Sequence, residues 1–371
     1  MKTLMTNVLA LLMTMPAWSQ PRQEITLNDG WLFSRDGETW QTVNVPHDWA
    51  IAGPFDKKWD LQTVAIEQNG EKQATEKSGR SGALPWIGKG YYKRTINIPQ
   101  NFEGTATIEI DGAMAEPVVC VNGKEAGRWA YGYNAFDIDV TPFVNKGDNL
   151  LEISLQNMEE SSRWYPGAGL YRPIKLVLTN KMSIDKRSVF VRTTDISNNK
   201  ATVMVSIGLR GLEKGNTANT PQGMAVEVEL RNREGHVVCQ EHLPVEQGSN
   251  SVETTLTVDE AQLWTPEQPY LYEARLRLMQ NGRTIDQLSL MTGLRTVRIS
   301  KEGGFQLNGV TRKLKGVCLH HDLGPLGAAV NKAALIRQIN ILKDMGCDAI
   351  RTAHNMPSQM QMDICDSLGM M

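Results

Sequence analysis

Lys313-Leu314-Lys315-Gly316-Val317-Cys318-Leu319 runs directly into His320-His321-Asp322, and farther along Cys347-Asp348-Ala349-Ile350 runs into Arg351-Thr352-Ala353-His354-Asn355. In each case a short apolar strand pattern delivers a cluster of ionisable and amide side chains at its end, and the interval between the two suits a βαβ unit. Parallel strands bring their C-terminal ends to one face, where (β/α) barrels place their sites, so the clusters are expected to be neighbours. Between them the period is helical: Asn331 is a candidate N-cap, Leu335, Ile336, Ile339, Leu342 and Met345 recur at helical spacing, and Gly346 is a natural stop. Beyond the second strand, Pro357 suits the first turn of another helix, with Met360, Ile364 and Leu368 on one face and Gly369 closing it. The order β, α, β, α over residues 300–371 is the beginning of a parallel α/β domain, and only the first two of a barrel's eight units fit.

Upstream the pattern is different. From about Gln23 to Thr179, short runs such as Thr105-Ala106-Thr107-Ile108-Glu109-Ile110 and Asn149-Leu150-Leu151-Glu152-Ile153-Ser154-Leu155 alternate apolar and polar residues between turn signals. Asn122-Gly123 is a hairpin signal, since both central residues of a type I′ turn need positive φ. Residues 21–180 therefore read as a two-sheet sandwich, and residues 181–299, with about seven further strand signals, as an immunoglobulin-like sandwich. The polar stretch from Gly53 to Gly90 is too long for a plain connection, and Trp59 and Trp86 near its ends suggest that it packs on something.

With 39 basic against 41 acidic residues and a net charge of -2, the chain offers no electrostatic reason to bind nucleic acid or an anionic membrane, and a neutral substrate is expected. Met1 to Gln20 carries Lys2, the apolar run Val8-Leu9-Ala10-Leu11-Leu12-Met13 and small residues at Ala17 and Ser19, the arrangement of a cleavable signal peptide cut near Ser19-Gln20. Export to the periplasm or medium is the corresponding expectation. No later stretch reaches the ~20 apolar residues of a membrane span. The five cysteines stand singly, which argues against a disulfide framework or a cysteine metal site and reads as buried small apolar residues.

The longer motifs carry a resemblance. Gly30-Trp31, Val45-Pro46-His47-Asp48-Trp49, Arg163-Trp164-Tyr165-Pro166-Gly167-Ala168-Gly169-Leu170-Tyr171-Arg172, and the two strand-end clusters follow one another as in glycoside hydrolase family 2, which the whole chain after residue 20 resembles. The stretch Asp56 to Trp86 is most similar to secreted bacterial β-galactosidases of that family. The resemblance implies a multidomain fold: an N-terminal jelly-roll β-sandwich, an immunoglobulin-like β-sandwich, then the first two βα units of a TIM barrel. It also implies a retaining exo-glycosidase, most like a β-galactosidase releasing terminal β-galactose, with a β-glucuronidase or β-mannosidase as the alternative within the family. Such enzymes use two carboxylates about 5 to 5.5 Å apart. The family draws both glutamates from later barrel strands, and no Glu follows Lys313 here. Both are therefore expected to lie beyond Met371, no catalytic residue is expected in this sequence, and the chain reads as truncated early in the barrel.

What carries over is a substrate-binding rim. His320 and His354 match family histidines that hydrogen-bond sugar hydroxyls, Arg351 matches an arginine near the nucleophile, and Asn355 lies beside them. Asp48 is implied to reach the sugar from the sandwich, and Arg163 and Trp164 to border the pocket. Arg163 stands where some members have an acidic residue and Cys318 where an Asn is common, which leaves the choice of sugar open. The resemblance implies an oligosaccharide partner, no required cofactor, room for a divalent cation or sodium in a longer enzyme's site, and room for a homo-oligomer. Blander roles compete: Arg351 pairing with Asp322 or Asp348, and Trp49 as core rather than sugar platform. A non-catalytic carbohydrate-binding protein is the rival from another class. A metal site on His320, His321 and His354 is disfavoured, because adjacent residues on a strand point to opposite faces.

Overall fold

The computed structural model describes residues 21–56, 64–68, 71–75, 86, 88–157, 165–212, 214–216 and 221–371. The candidate signal peptide, Trp59, Arg163 and Trp164 lie outside these described residues.

The first unit is a sandwich of two antiparallel sheets. One has the strand order Gln23–Thr26, Ile174–Thr179, Thr105–Ile110, Phe136–Asp139. The other runs Gln41–Val43, Trp31–Ser34, Lys89–Ile98, Gly147–Gln156, Val118–Val121, Lys124–Arg128. Alternation decides which side chains meet between them: along Gly147–Gln156, Asn149, Leu151, Ile153 and Leu155 point inward. Trp31, Phe33, Tyr92, Ile108 and Val119 complete this core, each contributing about 1.5–3 kcal/mol of burial. Asn122 and Gly123 both take positive φ, as the hairpin signal requires. The long segment after Gly53 is not structureless, since Val64–Gln68 pairs with Glu71–Thr75 as a hairpin. At its far end Trp86 packs 5.8 Å from Trp49, under the Arg35 guanidinium. Trp49 itself is buried, so it belongs to the core.

The second unit opposes a sheet containing Phe190–Ser197, Lys200–Arg210 and Ser251–Val258 to the four-stranded sheet Val237–Pro244, Met224–Arg231, Tyr272–Gln280, Arg283–Thr292. Val203, Val205, Val226, Val228, Leu276 and Leu278 fill the space between. A small antiparallel sheet, Val297–Ser300, Gly304–Leu307 and Val310–Thr311, straddles the boundary expected at 299/300.

The last region is parallel. Strand Gly316–Leu319 pairs with Ala349–Thr352, placing Cys318 opposite Arg351. Helix α1 spans Lys332–Asp344 and is capped by Asn331, whose side chain accepts from the Ala334 N–H. Leu335, Ile339 and Leu342 face inward as the period predicts, whereas Met345, 67 % exposed, lies beyond the last turn. Helix α2 spans Gln359–Leu368 and ends at Gly369, whose left-handed conformation glycine adopts without a steric cost. Its N-cap is Ser358, so Pro357 precedes the helix and does not occupy its first turn. After the helix, Met371 returns to the second strand: its N–H donates to the Asp348 carbonyl at 2.9 Å and its carbonyl accepts from the Ile350 N–H at 2.8 Å. Its side chain packs on Trp264, Leu271 and Leu307, so Met371 is a packing residue and no part of the rim. The strand bounds also shift. Lys313–Lys315 lies before the first strand, and Arg351 is within the second strand instead of after it.

Candidate functional site

The two strand-end clusters come together. The rings of His320 and His354 meet edge to face, their centroids 5.4 Å apart. Cys318 stands two residues before His320 and Arg351 three before His354, and the exposed Arg351 guanidinium lies 3.8 Å from the Cys318 sulfur. Cys318 is exposed and the other four cysteines are partly buried, which corrects their reading as uniformly buried apolar residues. Among the described residues Arg351 forms no ion pair. Asp348, one of its expected partners, instead accepts from the Lys315 N–H at 2.8 Å and faces Arg312 at 3.7 Å. No Glu stands between Lys313 and Met371, so the rim brings together imidazoles, an amide and a guanidinium without either carboxylate of the expected catalytic pair.

His321 takes a different direction from His320. It lies past the end of the strand at φ 68, so the alternation of a strand does not govern it. Its ring enters the junction with the sandwich, edge-on to Tyr133 at 5.2 Å and Tyr171 at 5.8 Å, and Nε2 donates to the Tyr165 carbonyl at 3.1 Å. Burial, reinforced by the nearby Arg172 charge, lowers its pKa to about 4, so the ring is neutral at neutral pH. His321 is thus an interface residue, turned away from His320 and His354.

Asp48 departs most from expectation. It is 2 % exposed, and its carboxylate is saturated. Oδ1 accepts from the N–H groups of Ala50 at 3.0 Å and Ala168 at 3.1 Å; Oδ2 accepts from the Tyr165 hydroxyl at 2.7 Å and the Ala328 N–H at 2.8 Å. A carboxylate offers about four lone-pair positions, so none is left for a sugar hydroxyl. Burial pushes its pKa up while the four donors pull it back. Its role here is to tie two sandwich loops to the barrel's first loop. Gly167 allows that approach: at φ +73, a Cβ on it would lie 2.4 Å from the Ala328 Cβ.

A second tie was invisible in the sequence. Arg172, 1 % exposed, donates to the carbonyls of Asp111 at 3.1 Å, Tyr133 at 3.0 Å and Met356 at 2.8 Å. Two sandwich segments and the loop after Asn355 therefore converge on one guanidinium, whose fixed fork suits divergent acceptors. Tyr131, from the loop after the strand Lys124–Arg128, donates its hydroxyl to Asn355 Oδ1 at 2.8 Å. Arg172 closes the motif that begins at Arg163, where nothing in the sequence marks it as a tie, and Tyr131 carries no signal beyond being aromatic. A separate groove of about 460 Å³ between the sandwich and α2 is lined by Glu109, Asp111, Lys186 and Lys332, and none of His320, Arg351 and His354 lines it. Within it Lys186 pairs with Glu109 at 3.2 Å.

The architecture and the paired clusters agree with comparison to known proteins. The sugar binding domain of the glycosyl hydrolases family 2 matches residues 12–179, the central family 2 domain residues 183–295, and the family 2 TIM barrel domain residues 297–371. The chain belongs to glycoside hydrolase family 2. A β-galactosidase of Bacteroides ovatus is 34 % identical over 366 residues, covering 94 % of this chain and 40 % of that protein. A putative β-glucuronidase of Formosa agariphila is 32 % identical, with 94 % and 32 % covered. Among solved structures, a family 2 member from Bacteroides cellulosilyticus superposes with a TM-score of 0.83 at 32 % identity, over 94 % of this chain and 45 % of that one. The chain thus spans less than half the length of these family 2 relatives. No described helix is long and apolar enough to cross a membrane.

Proposed function

We propose that this chain forms the sandwich domains and the substrate-binding rim of an exported, retaining exo-β-galactosidase. The observation that carries the reading is the meeting of His320 and His354, edge to face at 5.4 Å, just past the ends of two adjacent parallel strands, with Arg351 on the second of them. Two imidazoles so placed can hydrogen-bond neighbouring sugar hydroxyls, and the Arg351 cation favours the ionised form of a carboxylate brought near it. The family resemblance makes both carboxylates of retaining hydrolysis glutamates, and no Glu occurs from Lys313 to Met371. The rim therefore binds and orients the sugar, while bond cleavage needs later barrel strands. Support for galactose comes from the β-galactosidase of Bacteroides ovatus, and support for export from the pattern of Met1 to Gln20.

A β-glucuronidase is the second reading. Arg351, exposed and without an ion-pair partner among the described residues, is a cation that could hold a sugar carboxylate, and relatives named β-glucuronidases match almost as well. Rates on aryl β-galactoside and aryl β-glucuronide, measured with a gene product that carries this chain and the later strands, separate the two. A higher kcat/KM on the glucuronide, lost in Arg351→Ala, would replace the first reading by the second. The 371-residue chain alone is expected to show no turnover above a protein-free blank. Clear turnover would refute the assignment of its residues to binding only.

A further inference from the structure

We propose that the sandwich loop 128–134 provides a second sugar subsite, with the exposed ring of Tyr131 as the platform for the pyranose that follows the terminal sugar of a β-linked oligosaccharide. The inference rests on the reading of His320 and His354 as the rim for that terminal sugar.

The loop reads Arg128-Trp129-Ala130-Tyr131-Gly132-Tyr133-Asn134, three aromatics at alternate positions with three different fates. Tyr133 is buried with Met114, Tyr171 and Ala328. Trp129 lies flat on Phe136 at 5.3 Å, and its indole N–H donates to Asn134 Oδ1 at 2.9 Å. Trp129 keeps 38 % of its surface exposed. Tyr131 tilts against Tyr133 at 5.5 Å but is the most open of the three at 49 % exposed, and its hydroxyl is fixed on Asn355, the residue after His354. An aromatic ring that is held in place and still faces solvent forgoes burial, which is compensated when an apolar surface covers it. A pyranose presents such a surface on its C–H face and hydroxyls at its edge, and that chemistry matches an aromatic platform beside a polar rim.

The platform is rigid. Gly132, next to Tyr131, packs closely: a Cβ there would lie 2.6 Å from the sulfur of the buried Met114 and 3.2 Å from the Ala113 carbonyl oxygen. Its carbonyl accepts from the buried Tyr171 hydroxyl at 2.8 Å. The next carbonyl, of Tyr133, accepts from Arg172, which also holds the Met356 carbonyl one residue beyond Asn355. One buried guanidinium therefore fixes the loop that carries Tyr131 and the segment that carries His354 and Asn355 relative to each other. A platform with this little freedom loses little entropy when a ligand covers it. A clip between domains would need only the hydroxyl of Tyr131, whereas a sugar platform needs the ring.

The test separates those two needs. The chain is titrated by NMR with methyl β-galactoside and with a β-linked galactobiose, in wild type, Tyr131→Phe and Tyr131→Ala. Stacking of this size is expected to make the disaccharide bind roughly five- to tenfold more tightly than the monosaccharide, with Tyr131 ring resonances shifting further for the disaccharide. Tyr131→Phe keeps that ratio, because it keeps the ring; Tyr131→Ala brings it to about one. A ratio unchanged in Tyr131→Ala, or lost equally in Tyr131→Phe, overturns the subsite and leaves the rim reading standing. A monosaccharide affinity indifferent to His320→Ala overturns the rim reading itself, and a chain that binds neither sugar overturns both. Thermal unfolding of each variant shows whether a lost ratio accompanies a lost fold, in which case the wild-type ring shifts decide.

Discussion

Replacing Asp48 by asparagine keeps the shape of the side chain and removes its second anionic oxygen. In the native protein four donors converge on the carboxylate: three backbone N–H groups and the Tyr165 hydroxyl. An amide oxygen can keep Ala50 and Ala168, and the Tyr165 hydroxyl can rotate to accept from the new NH₂. The Ala328 N–H cannot rotate, so it faces another donor in a site closed to water. A buried donor left unmade costs about 1–3 kcal/mol, and the lost charge-assisted bond about 1.5–3 kcal/mol. Relief of the burial that pushes the Asp48 pKa up offsets part of this, leaving a net loss of about 3 kcal/mol. The loss should be directional. Opening of the barrel loop that contains Leu323 and Ala328 should become about 100-fold more frequent, since 1.36 kcal/mol is a factor of ten. Urea unfolding reads the total, and hydrogen exchange at 323–330 reads the direction. Equal urea midpoints would refute the reasoning, and so would a destabilised variant in which those amides exchange at the wild-type rate.

Gly167→Ala places a Cβ against Ala328 at a positive φ, so a loss of at least about 2 kcal/mol is expected in urea unfolding, with the same loop opening. Arg172→Met keeps the length and removes three hydrogen bonds while taking from the partly buried Asp111 the strongest of its neighbouring cations; a loss of about 3 kcal/mol is expected, with amide exchange rising around Met356. Acid should loosen the domain junction. The His321 pKa is lowered to about 4 in the fold, against about 6.5 unfolded, so its contribution is fully present above pH 6.5 and is lost as pH falls toward 4. The difference is worth about 3 kcal/mol, and His321→Gln should flatten the fall of Tm over that window. His47, hydrogen-bonded to Tyr92 and lowered to about 4 by its burial, acts in the same sense within the sandwich. A Tm independent of pH between 6.5 and 4 in the wild type would contradict this assignment.

Much of this fold could be read locally. Asn331, Gly346 and Gly369 act as punctuation whose effect depends only on the neighbouring backbone, and the strand at Thr105–Ile110 follows from alternation alone. The meeting of His320 with His354 was legible because parallel pairing dictates it. The roles of Asp48 and Arg172 were not, because their partners lie up to 280 residues away and, apart from the Tyr165 hydroxyl, are backbone atoms with no side-chain identity to read. Pro357 misled for a related reason. A proline fits both the first turn of a helix and the residue before a cap, and only the Ser358 side chain on the Gln361 N–H decides between them.

Apart from the bond of Tyr131 to the Asn355 side chain, the ties between sandwich and barrel described above share one property: on the barrel side they grip the Ala328 amide and the Met356 carbonyl, and His321 returns the same kind of contact to the Tyr165 carbonyl. Peptide groups are common to every sequence. The loops after the first two barrel strands can therefore exchange side chains other than His321 and Asn355, and with them the sugar they accept, without forfeiting their seat on the sandwich. A chimera that keeps this sandwich and takes those loops from a relative of different specificity should dock as the parent does, provided the replacement keeps the loop lengths and leaves space opposite Gly167.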